Sequence, residues 1–233
     1  MAIGNRVFLK RELPSKEIVE GFKSIPTANV CDCMNRVYAL NPEIRIMSSS
    51  KTDIMVGVAV TVKARPGDNL FIHKAMELAG EGDIIIVSNE GDRSRALVGE
   101  IMVAYAQYTK KISGLVFDGP IRDIDAISKM EIPVYATGHT PGGPFKEGPG
   151  EINVPIAIGG VPVNPGDIIL GDKDGLIVIP KNDAQKLLEE AIKLSASDSA
   201  KVEAAKNGTA NKQWVEDTLI KKNCEIVEDY YRV

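Results

Sequence analysis

Gly114-Leu115-Val116-Phe117-Asp118-Gly119-Pro120-Ile121-Arg122-Asp123 is the stretch on which the fold turns. Its apolar start is too short for a helix and reads as a strand buried on both faces; Gly119-Pro120 then turns the chain and presents two opposite charges side by side. Upstream, Ala96 to Lys110 spaces Leu97, Ile101, Ala104 and Tyr108 as one helical stripe. Before that, Ile84-Ile85-Ile86-Val87 is a second continuous β-branched run. Earlier still, Gly57 to Arg65 alternates Val58, Val60 and Val62 against Ala59, Thr61 and Lys63, a strand pattern, and Pro66-Gly67-Asp68-Asn69 turns it into a helix over Leu70 to Ala79 capped by Asp68. Downstream, a helix runs to about Met130 and a strand covers Val134-Tyr135-Ala136. Alternating strand and helix of this kind builds an α/β layer around a sheet.

Outside this section the character changes. Thr27 reads as the N-cap of a short helix reaching Met34, with Val30, Cys31 and Met34 at helical spacing. Beyond Thr140, turn-rich Pro141-Gly142-Gly143-Pro144 and Gly148-Pro149-Gly150 precede apolar runs at Val154–Ile158, Val161–Val163, Ile168–Leu170 and Leu176–Ile179, which read as a β-meander. Asp183 caps a long charged helix from Ala184 to about Lys206, stopped by Asn207-Gly208. A last helix over Asn211 to Ile226 carries Trp214. The expected division is one domain over residues 1–206 and a helical tail over 207–233, packed on its own domain or on a neighbouring subunit.

Bulk composition excludes several functions. Lys plus Arg total 28 against 32 Asp plus Glu, a formal charge of −4, so there is no positive field for nucleic acid or an anionic membrane. The charged opening to Leu13 does not read as a secretory signal, and no apolar run is long enough to span a bilayer; a cytoplasmic protein is expected. Cys31, Cys33 and Cys224 have no disulfide or zinc spacing, and the two histidines, His73 and His139, do not suggest a zinc centre.

Chemistry is best sought at Arg122 and Asp123, because ligands of open α/β sheets collect at the carboxyl ends of strands. Arg122 would offer a planar fork to a carboxylate or developing enolate, and Asp123 a hard oxygen to Mg²⁺ or Mn²⁺; a solvated surface turn is the plain alternative. Gly99-Glu100-Ile101-Met102 could cradle an anion with backbone amides, or could merely let helices pack. Asp172 and Asp174 resemble part of a calcium loop but lack its downstream glutamate, so a hairpin turn is favoured. Glu151, Asn153, Lys63, Arg65 and His73 are weaker candidates: the first two for a neighbouring subunit's site, the next two for a second substrate carboxylate, and His73 as a partly buried polar residue.

The ordered set Ile25-Pro26-Thr27, Gly57-x-Ala59-x-Thr61-Val62, Gly67-Asp68-Asn69, Gly82-Asp83-Ile84, Gly99-Glu100, Asp118-Gly119-x-x-Arg122-Asp123, Gly159-Gly160-x-x-Val163-x-Pro165-Gly166-Asp167 and Gly171-Asp172-x-Asp174-Gly175 resembles the family that joins 4-hydroxy-4-methyl-2-oxoglutarate aldolase with the regulator of ribonuclease activity A. The resemblance implies a layered α/β/β sandwich of the swivelling type with a central β-rich body, forming a homotrimer or a dimer of trimers with sites between subunits. It further implies a class II pyruvate aldolase, a carbon–carbon lyase acting on 4-hydroxy-2-oxo acids and decarboxylating oxaloacetate. Arg122 would contact the pyruvyl oxygens, Asp123 would hold the metal, the amides of Gly99 to Met102 would bind substrate, and Glu100 would position a water. The other branch, a noncatalytic protein that binds an RNA-degrading enzyme, can lack the carboxylate found here as Asp123, which favours the enzyme.

Overall fold

A computed structural model describes residues 3–231. The chain divides into a unit ending at Lys193 and a second beginning at Leu194. The first unit is built on β3 (Met55–Ala64), a strand whose residues are all buried except Lys63. One edge of β3 pairs in parallel with β4 (Asp83–Ser88), which pairs in parallel with β5 (Gly114–Phe117), and β5 with β6 (Val134–Ala136). The short β2 (Arg45–Ile46) closes that side antiparallel to β6.

The other edge of β3 is shared. Its first half, Met55 to Val58, pairs antiparallel with β10 (Ile168–Asp172), which forms a hairpin with β11 (Gly175–Ile179). Its last residues, Val62 to Ala64, pair with β7 (Gly150–Ile152), flanked in turn by β1 (Asn5–Val7). β8 (Ile156–Ile158) and β9 (Val161–Val163) make a separate two-stranded sheet. The region beyond Thr140 is therefore not a simple meander: β7 and β10 return to the spine, where β3 has backbone groups to satisfy along its whole length.

Period-two alternation decides the layers. Val60, Val62, Ile85, Val87, Leu115 and Phe117 share one core with Phe71, Ile72 and Met102. Ala59, Ile84, Ile86 and Val116 point the other way, into a core with Ile156, Ile158, Val161 and Val163. The first of these layers is helical: α3 (Leu70–Leu78), α4 (Glu100–Ala104), which continues as a π-helical turn over Tyr105–Lys110, and α5 (Ile124–Ile127). Helices, large mixed sheet and small sheet give the α/β/β stack. A third core joins Val56, Val58, Ile168 and Ile179 to α1 (Lys16–Gly21), α2 (Thr27–Cys33) and the start of α6 (Ala184–Lys206). Each fully buried isoleucine of β4 contributes roughly 1.5–3 kcal/mol by leaving water.

Four local expectations are corrected. α4 begins at Glu100, not Ala96; Ile101 and Tyr108 of the supposed core stripe are 85% and 69% exposed, while Met102, Val103 and Ala106 are buried. Leu97 is buried, but in an extended segment that donates its N–H to the Pro120 carbonyl. Thr27 is not the cap of α2 but its first residue, and the Asp172 carboxylate accepts both its backbone N–H (2.9 Å) and its hydroxyl (2.7 Å). That capping role, with the Asp174 N–H also donated to Asp172, accounts for the acidic hairpin. In the second unit the last helix is shorter than expected, α7 (Gln213–Lys221), and buries none of its residues.

Candidate active site

The parallel strands β3, β4, β5 and β6 all end on the same side of the sheet, and the segments following them converge there. A cavity of about 140 Å³ is lined by Asn69 and His73 after β3, by Leu97 to Gly99 with Ile101 and Met102 after β4, by Arg122 and Asp123 after β5, and by Pro144 and Lys146 after β6. A second hollow, of about 300 Å³, lies on the other flank of the same charged pair, against His139, Thr140 and Pro141.

Backbone pairing fixes the Arg-Asp turn from both sides. The Arg122 N–H donates to the Val98 carbonyl (3.0 Å), the Ile121 N–H to Gly138 (3.0 Å) and the Thr140 N–H back to Ile121 (2.9 Å). Asp123 sits in the left-handed region (φ 60°, ψ 41°), uncommon for a residue with a side chain, and its carbonyl accepts the N–H groups of Ala126 and Ile127 at the start of α5. The two side chains are equally placed between protein and solvent, each 45% exposed, with Arg122 Nε 3.8 Å from Asp123 Oδ2. Asp123 Oδ2 also accepts the Glu100 N–H at 3.0 Å.

Gly99 has a geometric reason to be glycine. A Cβ there would stand 2.3 Å from Asp123 Oδ2 and 3.0 Å from Arg122 Nε. Its φ of −136° and ψ of −172° are ordinary extended backbone, so it is space, not conformation, that demands the missing side chain. Of the expected amide cradle, the Glu100 N–H is turned onto Asp123 and the Met102 N–H donates to the Gly99 carbonyl (3.1 Å), so neither is aimed at a ligand, although Gly99, Ile101 and Met102 line the cavity. The Glu100 side chain is exposed and is not part of that lining.

The cavity contains residues that the sequence singled out weakly or not at all. Asn69 is 2% exposed; its Nδ2 donates to the Leu97 carbonyl (2.9 Å), and its Oδ1 has no hydrogen-bond partner among the described residues. Desolvation, then the nearby Lys146 ammonium, push the His73 imidazole below its ordinary pKa. Lys146 lies in a Gly- and Pro-rich loop with no local motif. Only the path of the chain after β6 brings it here.

Other candidates serve as structural ties. Glu151 pairs with Arg6, and Asn153 donates to the Phe8 carbonyl, so both hold the N-terminal arm. Arg65 donates to the Gly148 carbonyl and lies over the Phe145 ring. Lys63 is exposed at the end of β3. Among the described residues no group of three or more His, Cys, Asp or Glu gathers to hold an ion. The donor set at the site is one half-exposed carboxylate, Asp123, whose Oδ1 is unengaged by hydrogen bonds among the described residues. Such a set suits a hard cation that keeps most of its own water and does not suit zinc. No helix is long and apolar enough to cross a membrane, among the described residues.

Comparison with known proteins agrees with this architecture. A protein of Halalkalibacterium halodurans, provisionally named 4-hydroxy-4-methyl-2-oxoglutarate aldolase, is 40% identical over 188 residues, covering 81% of this chain and 88% of the relative. A crystal structure from Pseudomonas syringae of an uncharacterised protein superposes with a TM-score of 0.74 at 24% identity, over 85% of this chain and 96% of that one. The RNA-processing inhibitor RraA of Thermus thermophilus superposes with a TM-score of 0.60 at 30% identity, over 66% of this chain and 92% of its own. The sequence profile described as RraA-like, aldolase/RraA, matches residues 27–178, which contain every element that lines the cavity. The chain belongs to the RraA-like family.

Proposed function

We propose that this protein is a divalent-metal-dependent pyruvate aldolase that cleaves 4-hydroxy-2-oxo acids of the 4-hydroxy-4-methyl-2-oxoglutarate type. The observation that carries the reading is the Arg122–Asp123 pair, braced by backbone on both sides and half open to a cavity at the carboxyl ends of the sheet. The name borne by the Halalkalibacterium halodurans relative supports the same substrate class.

Cleavage breaks the C3–C4 bond: the 4-hydroxyl loses its proton as C4 becomes a carbonyl, and the bonding electrons pass to the C2 oxygen as a pyruvate enolate. The enolate is then protonated at C3. Arg122 supplies guanidinium N–H donors to the 2-oxo acid oxygens where that charge develops. Bound Mg²⁺ or Mn²⁺, held by Asp123 and its own waters, would add Lewis-acid stabilisation of the same charge. Gly99 lets both side chains lie close against the loop backbone, which keeps them side by side at the mouth of the cavity. Glu100 is proposed to position a water that carries the proton; as its side chain does not line the cavity of the single chain, His73 is the alternative carrier within it. Oxaloacetate has a carboxylate in place of the cleaved carbinol, so its loss of CO₂ would pass through the same enolate.

The site borders an exposed stripe of Ile101, Tyr105 and Tyr108 at helical spacing. This supports a homotrimer, or a dimer of trimers, in which a neighbouring copy covers the stripe and closes the cavity. The test of the activity is pyruvate release from a panel of 4-hydroxy-2-oxo acids and from oxaloacetate. Release should require added Mg²⁺ or Mn²⁺, and absence of release from every member with either metal overturns the reading.

A further inference from the structure

Asp118 stands at the end of β5, five residues before the metal-binding candidate, and is only 8% exposed. Both its oxygens are spent on the neighbouring loop: Oδ1 accepts the Asn89 N–H at 2.5 Å and Oδ2 the Gly91 N–H at 3.2 Å. Asn89 itself is fully buried and extends the connection in two more directions. Its Oδ1 accepts the Gly67 N–H (2.8 Å) and its Nδ2 donates to the Asp92 carbonyl (2.8 Å). There is no room for slack, since a Cβ on Gly119 would meet Asn89 Nδ2 at 2.6 Å. Gly67 leads into Asp68, whose Oδ2 accepts the N–H groups of Glu147 and Gly148 (2.7 and 2.9 Å), beside Lys146. Three loops, following β3, β4 and β5, thus meet at one buried carboxylate–amide junction, and a fourth is tied to it through Asp68.

We propose that Asp118 is a positioning residue: by holding the turn at Asn89 to Gly91, it keeps the loop that carries Gly99 in register with the loop that carries Arg122 and Asp123. The inference rests on the aldolase reading for its catalytic consequence and on geometry alone for the brace. A buried carboxylate that accepts two backbone N–H groups is a stiff fastener, because charge-assisted hydrogen bonds are about twice as strong as neutral ones. A displacement of about 1 Å at a reacting centre lowers turnover on the order of a hundredfold.

The experiment compares the full-length wild type with Asp118→Asn, which keeps the shape but replaces one acceptor oxygen by an NH₂ that opposes an N–H. The readouts are kcat and KM for a 4-hydroxy-2-oxo acid, the inhibition constant of oxalate as a planar enolate mimic, and amide hydrogen exchange across residues 89–99. All are taken well below the melting temperature. The brace predicts faster exchange across that segment, KM and the oxalate constant raised at least ~3-fold, and kcat lowered ~10-fold or more. A purely structural role lowers only the melting temperature and leaves KM in place. Exchange unchanged in the variant overturns the brace, as does faster exchange with KM, kcat and oxalate binding within twofold of wild type. Should Asp118→Asn fail to fold, Asp118→Ser, which keeps one acceptor oxygen, gives the same readouts. Wild type without turnover sinks the aldolase reading alone, because the exchange comparison still decides the brace.

Discussion

Replacing Gly99 by alanine separates catalysis from folding. The added methyl would lie 2.3 Å from Asp123 Oδ2, whereas an ordinary carbon–oxygen contact is at least about 3.3 Å. About 1 Å must therefore be found. The backbone cannot supply it cheaply, because Arg122 N is bonded to Val98 and the Asp123 carbonyl to the start of α5. The Asp123 side chain must swing, breaking its bond from the Glu100 N–H, a charge-assisted bond worth about 1.5–3 kcal/mol. Some of that returns through solvation, as Asp123 is half exposed, and alanine is at ease in extended backbone; the melting temperature should move by only a few degrees. Turnover, which needs Asp123 and Arg122 in place together, should fall about a hundredfold. Steady-state pyruvate release beside a thermal melt checks this. Gly99→Ala with turnover within threefold of wild type would refute the reasoning, since the close approach would then have no catalytic meaning.

Asp123→Asn and Arg122→Ala should each remove about 10²–10³ of the turnover while the protein stays folded by circular dichroism. Magnesium affinity, measured by calorimetry, should drop in Asp123→Asn and hold nearer wild type in Arg122→Ala. Asp172→Ala removes the acceptor of the Thr27 N–H, the Thr27 hydroxyl and the Asp174 N–H, and is expected to cost about 2–3 kcal/mol in denaturant unfolding without changing KM. Burial pushes the Asp118 carboxyl up to about 6, against the pull of the Asn89 and Gly91 N–H groups. The folded state then holds the proton more tightly than the unfolded one. The stabilisation linked to that proton is fully present below the unfolded value near 4 and is lost as pH rises through about 6, on the order of 2–3 kcal/mol. The stability-versus-pH curve of Asp118→Asn should lack that segment; identical curves would count against it. If a neighbouring copy covers the stripe beside the site, wild type should scatter light as a trimer or hexamer and Ile101→Asp as a monomer; a monomeric wild type would count against that assembly.

Much of the sheet was legible because β4 and β5 are continuous apolar runs that only a doubly covered strand can hide. The alternation in β3 was also visible, though it separates two buried cores and not a core from solvent. Two errors have one physical source. Leu97 and Ile101 fit a helical stripe, yet tertiary pairing of Leu97 with Pro120 keeps that segment extended and delays the helix to Glu100. Likewise Thr27 has the chemistry of a cap, but a carboxylate 145 residues away takes the position. Arg122, Asp123 and Gly99 could be named because they lie at a strand end and in a motif. Asn69, His73 and Lys146 meet them only through the converging loop ends, and nothing in local spacing announces that.

Hydrogen exchange at the pyruvate methyl group, followed by proton NMR in D₂O, tests the enolate site most directly, since it needs neither the natural substrate nor carbon–carbon cleavage. With Mg²⁺ and the wild-type chain the methyl signal should fade as deuterium enters C3. It should persist with EDTA or with Arg122→Ala. A methyl signal that stays intact with wild type and Mg²⁺, or fades equally in Arg122→Ala, would contradict the claim that this guanidinium and its neighbouring carboxylate stabilise an enolate.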